Sequence, residues 1–383
     1  MHNSKWKNSI RTQKMKCCQS LFLISLLVFT IIPTNAKIIV HKEFTCLKSG
    51  LIKHTLIAKT SRGKIELNVL EVDLLNKDIS IKIGLTNNKK IKERNPLLKI
   101  TNEEKACAGI NANYFDLKNG NPLGTIMKDG KWIVSPIFNR ASIGFADSNE
   151  VKIAQVKLKG IAYVYHKKEE SPFLNFDIDS LNTPSKYILN AGIYTRVWDK
   201  FLNLENHTAI VVKRDRIKEI IESKEAKIPR NGSVIIIKNK KLANQIKKDD
   251  YIDMYWETIP DWSDVQEAVG GGPYLVKNGM VFVDEFEEKF HFSKKEQITA
   301  RSAIGIDQKY KLYLITSEGK RAIKNHGLLL IELANVLKEF GLYDAINLDG
   351  GSSTTLVVND EIINSLSENH ERRISTGVLI FCK

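Results

Sequence analysis

The residues best suited to chemistry lie near the C-terminus, in the stretch Asp344-Ala345-Ile346-Asn347-Leu348-Asp349-Gly350-Gly351-Ser352-Ser353-Thr354-Thr355. A short apolar run ends there on a carboxylate, and two glycines and four hydroxyl residues follow. Glycines let a backbone turn sharply or approach a ligand, and successive N–H groups in such a turn form an anion-binding concavity. The middle of a core strand has no use for this pattern, because the glycines weaken it and the Asp needs a partner. The plain alternative is a tight hairpin turn whose Asp and Ser side chains bond only to nearby backbone.

Other polar residues fall at the ends of apolar runs. Asn111, Asn113 and Asp116 close one run, Gly270-Gly271-Gly272 another, and Arg301 pairs in position with Thr316 and Glu318. Arg372 and Arg373 add cations near the end of the chain. Each has a structural alternative: a bulge for the glycines, a surface cation for Arg301, a solvated turn for Glu318 and a turn before a helix for His326.

These residues need elements to hold them. Alternation of apolar and polar positions predicts strands over 38–40, 51–59, 64–73 and 78–85, with a charged, Asn-rich linker over 86–95. A short helix is expected over 101–107, then a strand running into Asn111. Three hairpins resemble one another. Asp129-Gly130, Asn278-Gly279 and Asn359-Asp360 each punctuate two apolar runs, and each hairpin is followed by an Arg-led strand, at Arg140, Arg301 and Arg373. The irregular spacing rules out a solenoid and suggests one sheet system built from related units. Residues 151–265 read as a β-rich insertion, with a hairpin at 208–221. A strand at 312–316 precedes an amphipathic helix from Leu328 to Phe340 that Gly341 ends. Mixed or antiparallel sheets with a few covering helices make the expected class α+β.

The N-terminus stands apart. Lys5, Lys7, Arg11, Lys14 and Lys16, with no acid, precede an uncharged run from Leu21 to Ile32 and a small residue at Ala36. This is the pattern of a secretory signal over residues 1–36, so the chain is expected to be exported, to a periplasm or the extracellular space. An uncleaved signal is the one membrane contact expected. The remaining divisions are a β-rich region over 37–100 and a catalytic domain over 101–383. Loss of the five leader cations takes the formal charge from +14 to +9. The lysines are scattered and not interleaved with aromatics, so no nucleic-acid footprint is present. A basic exported chain instead suits anionic or phosphate-bearing glycans. Cys46, Cys107 and Cys382 permit one disulfide without specifying which, and no metal-ligand spacing occurs.

Taken in order, six motifs resemble the phosphodiester glycosidase family. They are Gly-Ile-Asn-Ala-Asn-Tyr-Phe (109–115), Gly-Gly-Gly-Pro-Tyr-Leu (270–275), Ala-Arg-Ser-Ala-Ile-Gly (300–305), Thr-Ser-Glu-Gly-Lys (316–320), Asn-Leu-Asp-Gly-Gly-Ser-Ser-Thr (347–354) and Arg-Arg-Ile-Ser (372–375). The resemblance spans roughly residues 105–382. It departs from the usual family pattern at Ala112, Asn113, Tyr114, Ala300, Ser302 and Lys320. It implies hydrolysis of a sugar-1-phosphodiester, of the N-acetylglucosamine-α-1-phosphodiester type, at the sugar C1–O bond, releasing free sugar and a phosphomonoester. A phosphate is a good leaving group, its second pKa being about 6, so one carboxylate can suffice where ordinary glycosidases need two. The resemblance then makes Asp349 the carboxylate, Glu318 the candidate second one, and Arg301, Arg372 and Arg373 the phosphate-binding cations. Gly271, Gly272, Thr316, Gly350, Gly351, Ser352 and Ser353 would line the site as donors. Asn111 and Asn113 would bind sugar hydroxyls, with Tyr114 or Phe115 against the ring. No cofactor is implied; an Asp beside hydroxyls can hold a divalent cation, but the spacing specifies none. The rival functions are a phosphodiesterase that cuts the P–O bond and an envelope glycan-binding module without turnover.

Overall fold

A computed structural model of the chain describes residues 36–48, 50–86, 91–166, 169–291, 297–319 and 326–383. The leader pattern up to residue 35, part of the 86–95 linker and Lys320 lie outside the described residues, as does the side chain of Cys46.

The fold is mostly β-sheet, with 48% of residues in strands and 9% in helices. This overturns the expected α+β class. Among the described residues, helices run only over Leu97–Glu104, Lys240–Ala243 and Leu330–Phe340, and none is long and apolar enough to cross a membrane. The core is set by sheets meeting sheets, and helices contribute one substantial cover. That cover, Leu330–Phe340, buries Leu330, Leu333, Ala334, Val336 and Leu337 in a cluster with Leu56, Leu67, Leu275, Ala303 and Ile315. Each Leu, Ile or Val side chain among them gains about 1.5–3 kcal/mol on full burial. Gly341, at φ +106°, ends the helix in the left-handed region. The short helix begins earlier than expected, because Pro96 supplies its fixed φ just before Leu97 and Lys105 ends it at φ +59°.

Three sheets share one arrangement. In the first, Val265–Gly270 lies between Ile126–Lys128 and Ala141–Ala146. In the second, Asp344–Asn347 lies between Tyr274–Lys277 and Arg301–Ile306. In the third, Ala108–Asn111 lies between Leu356–Val358 and Thr376–Cys382. Every time a hairpin strand flanks one side and the strand after an Arg flanks the other. The three related hairpins therefore belong to three sheets, not to one continuous system. The three central strands end at Gly270, Asn347 and Asn111, so the polar motifs of the sequence are delivered to one region.

A further eight-stranded sheet is built wholly from residues 157–259, and Lys37–Lys48, Leu51–Thr60 and Gly63–Asp73 extend the second sheet through Lys311–Ser317. A disulfide joins Cys107 to Cys382 across 275 residues of sequence.

Candidate active site

Asp349 emerges just beyond the central strand Asp344–Asn347. Its N–H donates to Ala112 O (2.9 Å), and its carbonyl accepts from Asn111 Nδ2 (2.6 Å). Asn111 Oδ1 accepts in turn from Ser302 Oγ (2.7 Å) and Thr355 N–H (3.1 Å). One fully buried amide thus pins both ends of the loop 349–355 and ties it to the strand that begins at Arg301. Asn113 is engaged similarly. Its Nδ2 donates to Thr125 O (3.0 Å) and its Oδ1 accepts from Thr376 Oγ1 (2.9 Å). Both amides are spent on protein partners, so the structure gives them positioning parts in place of the expected contact with sugar hydroxyls.

Asp349 is half-buried. Loss of water pushes its pKa up to about 7, although the Ser353 hydroxyl, the Arg372 charge and the Gly350 N–H each favour its ionised form. Desolvation wins because the donors are few. Gly351, at φ +62°, starts a single 3-10 turn through Ser353, and its N–H donates to Ala300 O (2.8 Å). Ser352 Oγ donates to Glu368 Oε1 (2.6 Å), which also accepts from Arg372 Nη2 (3.2 Å). Glu368 therefore organises this rim, and Arg373 beside it is exposed.

The Gly270–Gly272 segment does not offer its N–H groups to a ligand. They donate to Thr125 O (2.7 Å), Ala141 O (2.9 Å) and Asn347 O (2.7 Å). These glycines exist for close crossing of backbones: a Cβ on Gly271 would lie 2.4 Å from Asn347 O. Gly271→Ala is accordingly expected to destabilise the fold by on the order of 3 kcal/mol or more, read as a lower denaturant midpoint with the m-value unchanged. A midpoint equal to the parent's would show that this crossing is not tight.

Arg301 is 3% exposed. Its Nε donates to Leu328 O (3.0 Å) and its Nη2 to Gln297 O. The guanidinium thus lies in the wall, fastening the Arg301–Ile306 strand to the segment before the long helix. Across the pair, Thr316 is buried opposite Ser302. Glu318 is part-exposed, accepts from Ser365 Oγ (2.8 Å), and stands 3.9 Å from His326 Nε2. Its turn packs close to Ala300, since a Cβ on Gly319 would lie 2.1 Å from Ala300 N.

Tyr114 is half-buried, donating to Gly272 O (3.0 Å) and accepting from Asn347 Nδ2 (2.6 Å). Burial and the charge of Asp349 raise its pKa well above the usual phenol range, so it stays a neutral donor. Phe115 instead joins the apolar cluster of Leu97, Ile100 and Leu379, under Arg94, and does not line the site. The structure therefore gathers Asp349, Gly350–Ser353, Tyr114, Arg372 and, in the walls, Asn111 and Arg301. Sequence places Asn347 in the stretch suited to chemistry without a role and does not pick out Glu368; Asn347 stands two residues before Asp349, on the same side of an extended chain. A separate groove lined by Leu74, Asn149, Ile306, Tyr310 and Tyr343 opens at the other end of the same strands, away from Asp349. Among the described residues no three His, Cys, Asp or Glu side chains converge as a metal site.

Comparison with known proteins covers the motifs from residue 270 onward. A phosphodiester glycosidase family model matches residues 188–381. The chain is 32% identical over 130 residues to human N-acetylglucosamine-1-phosphodiester alpha-N-acetylglucosaminidase, covering 30% of this chain and 25% of that protein. The chain thus spans about a quarter of the length of the curated relatives it matches. The fold is similar to that of a hypothetical protein from Synechocystis, with TM-score 0.80, 22% identity, and coverage of 90% of this chain and 64% of the other. It is also similar to the zebrafish N-acetylglucosamine-1-phosphodiester alpha-N-acetylglucosaminidase catalytic domain auto-inhibited by its pro-peptide. There the TM-score is 0.51 and the identity 17%, covering 90% and 89% of the two chains.

Proposed function

The chain belongs to the phosphodiester glycosidase family, and on that premise we propose that it is an exported hydrolase cleaving a sugar-1-phosphodiester at the sugar C1–O bond. The products are free sugar and a phosphomonoester, and the substrate class is an N-acetylglucosamine-α-1-phosphodiester. The observation that carries this reading is the placement of the Asp349 carboxyl just beyond a central strand end, beside the Ser353 hydroxyl, the Gly350 N–H and Arg372, where burial pushes its pKa up. A carboxylate tuned towards the working pH has greater basicity than an exposed one while still being substantially ionised. Ionised Asp349 serves as the nucleophile at C1 or as the base for the attacking water. The phosphate leaves without a proton from a second carboxylic acid, because its own oxygens accept the bonding pair. Arg372 and the hydroxyl and N–H groups of Gly350–Ser353 stabilise the charge that develops on it. Arg301 contributes positive charge from the wall and not a bidentate clamp, while Glu318 is the second carboxylate within the same wall. The Cys107–Cys382 disulfide fits the oxidising compartment expected of an exported chain.

The test is the pH dependence of kcat/KM on this substrate. Activity requires the ionised carboxylate, so it should rise with pH and level off above about 7. Arg372 favours the ionised form; Arg372→Gln should therefore move that rise to higher pH, besides weakening phosphate stabilisation. A rise unmoved or displaced to lower pH would show that Asp349 is not the titrating group. No sugar release at any pH would exclude the proposed reaction.

A further inference from the structure

A second cation adjoins the Tyr114 side of the site. The Arg140 guanidinium carbon lies 3.8 Å from the ring centre of Phe290, 5.4 Å from that of Phe138 and 5.8 Å from that of Tyr114. Its Nε and Nη2 donate to the carbonyls of Glu288 and Lys289, each at 3.2 Å. Among the described residues Nη1 has no protein hydrogen bond, and no carboxylate hydrogen-bonds the guanidinium. The acid that acts on it, Glu288, is fully buried and committed elsewhere, accepting from Ala141 N–H and Tyr274 N–H at 2.8 Å each. Burial also disfavours the charge on Arg140. A partly desolvated cation without a hydrogen-bonded anion is costly to keep.

The backbone leading to Arg140 is unusual as well. Phe138 and Asn139 have φ of +53° and +55°, a conformation that is strained for an aromatic residue. Such strain is found at ligand clamps, where it fixes a side chain in place. Here it sets Phe138 edge-to-face with Tyr187, ring centres 4.9 Å apart. Both residues are part-exposed, with the flexible Lys289 side chain over Phe138 (Nζ 5.4 Å from the ring centre) and that of Lys186 over Tyr187 (4.9 Å), which a sugar ring would displace. Tyr114 connects this corner to the reaction centre: its ring faces Arg140, and its hydroxyl is bonded to Asn347, two residues before Asp349.

We propose that Arg140 holds a non-bridging phosphate oxygen of the substrate through Nη1, while Phe138 and Tyr187 pack against a sugar ring on the leaving side of the phosphodiester. This assignment rests on the phosphodiester glycosidase reading and names a further phosphate-binding cation, besides Arg372, and the subsite for the departing half. Planar guanidinium donors suit phosphate oxygens, and the C–H face of a pyranose suits an aromatic ring.

The test measures binding, so it does not depend on turnover. The full chain and its Arg140→Gln, Arg140→Lys and Tyr187→Ala variants are titrated calorimetrically with a hexose 6-phosphate and with inorganic phosphate. Arg140→Gln should lose on the order of 10- to 100-fold in affinity for both probes, and Arg140→Lys should recover part of it. Tyr187→Ala should weaken the hexose phosphate and leave inorganic phosphate unchanged. Thermal unfolding shows whether each variant is folded, and the Lys variant maintains the test if Arg140→Gln unfolds. Parental affinity in Arg140→Gln, or no binding of either probe by the parent, overturns the assignment. Parental binding through Arg140 without hydrolysis of any sugar-1-phosphodiester would instead leave the subsite standing and reject the reaction.

Discussion

Asp349→Asn should abolish turnover and, at alkaline pH, make the protein more stable than the parent. The first effect is the loss of the attacking or proton-accepting carboxylate, expected to exceed about 1,000-fold in kcat. The second follows from linkage. Burial raises the Asp349 pKa to about 7 in the folded chain from about 3.9 when unfolded, so between these values the folded state binds the extra proton. Folding stability therefore falls as pH rises from about 4 to 7, and the full cost is present above 7. Asn has no such cost. Its advantage should vanish near pH 4 and reach on the order of 2–4 kcal/mol at pH 8. Thermal unfolding at both pH values tests this. A variant with parental turnover, or one whose advantage grows towards acid, contradicts the assignment of a desolvated catalytic carboxylate.

Asn111→Ala should have the largest effect on the scaffold. Three buried groups lose their partner together: the Asp349 carbonyl, Ser302 Oγ and Thr355 N–H. Each orphaned buried group costs about 1–3 kcal/mol, so a total of about 3 kcal/mol or more is expected. Because this amide joins the loop 349–355 to the Arg301 strand, the surviving folded fraction should also turn over more slowly, with kcat falling more than KM rises. Chemical denaturation measures the first effect, and steady-state kinetics at low temperature measures the second. A loss below about 1 kcal/mol would mean that water replaces the amide and that the loop does not depend on it.

Local chemistry was legible in the sequence to the extent that it depended on neighbours in sequence. Asp129-Gly130, Asn278-Gly279 and Asn359-Asp360 make hairpins where their turn residues require them. The Leu330–Phe340 helix follows its apolar period and stops at Gly341. The apolar run into Asp349-Gly350-Gly351 leads to a turn that leaves a carboxylate at a strand end. Pairing over long separations was not legible. Ala108–Asn111 bonds to strands more than 240 residues later, so neither the assignment of three hairpins to three sheets nor the dominance of sheet packing could be read from alternation. The Cys107–Cys382 bridge was hidden for the same reason.

The site was legible in composition but less so in role. Asn111 and Asn113 at strand ends resemble ligand donors, yet inside a low-dielectric core their amides are taken by backbone and hydroxyl partners. Arg301 likewise spends its donors on carbonyls of Gln297 and Leu328. Arg140 attracted attention only as the first residue of a repeated strand. Its special position depends on Glu288 and Phe290, about 150 residues further on, which no local pattern connects to it.

The central claim is that Asp349 drives cleavage of the bond between a sugar C1 and a phosphodiester oxygen. The most direct measurement is hydrolysis of an N-acetylglucosamine-α-1-phosphodiester in oxygen-18 water, with mass analysis of both products. The predicted result is label at the hydroxyl of the released sugar, none in the phosphomonoester, and no release by Asp349→Asn. Label in the phosphate, or equal release by the variant, would contradict it.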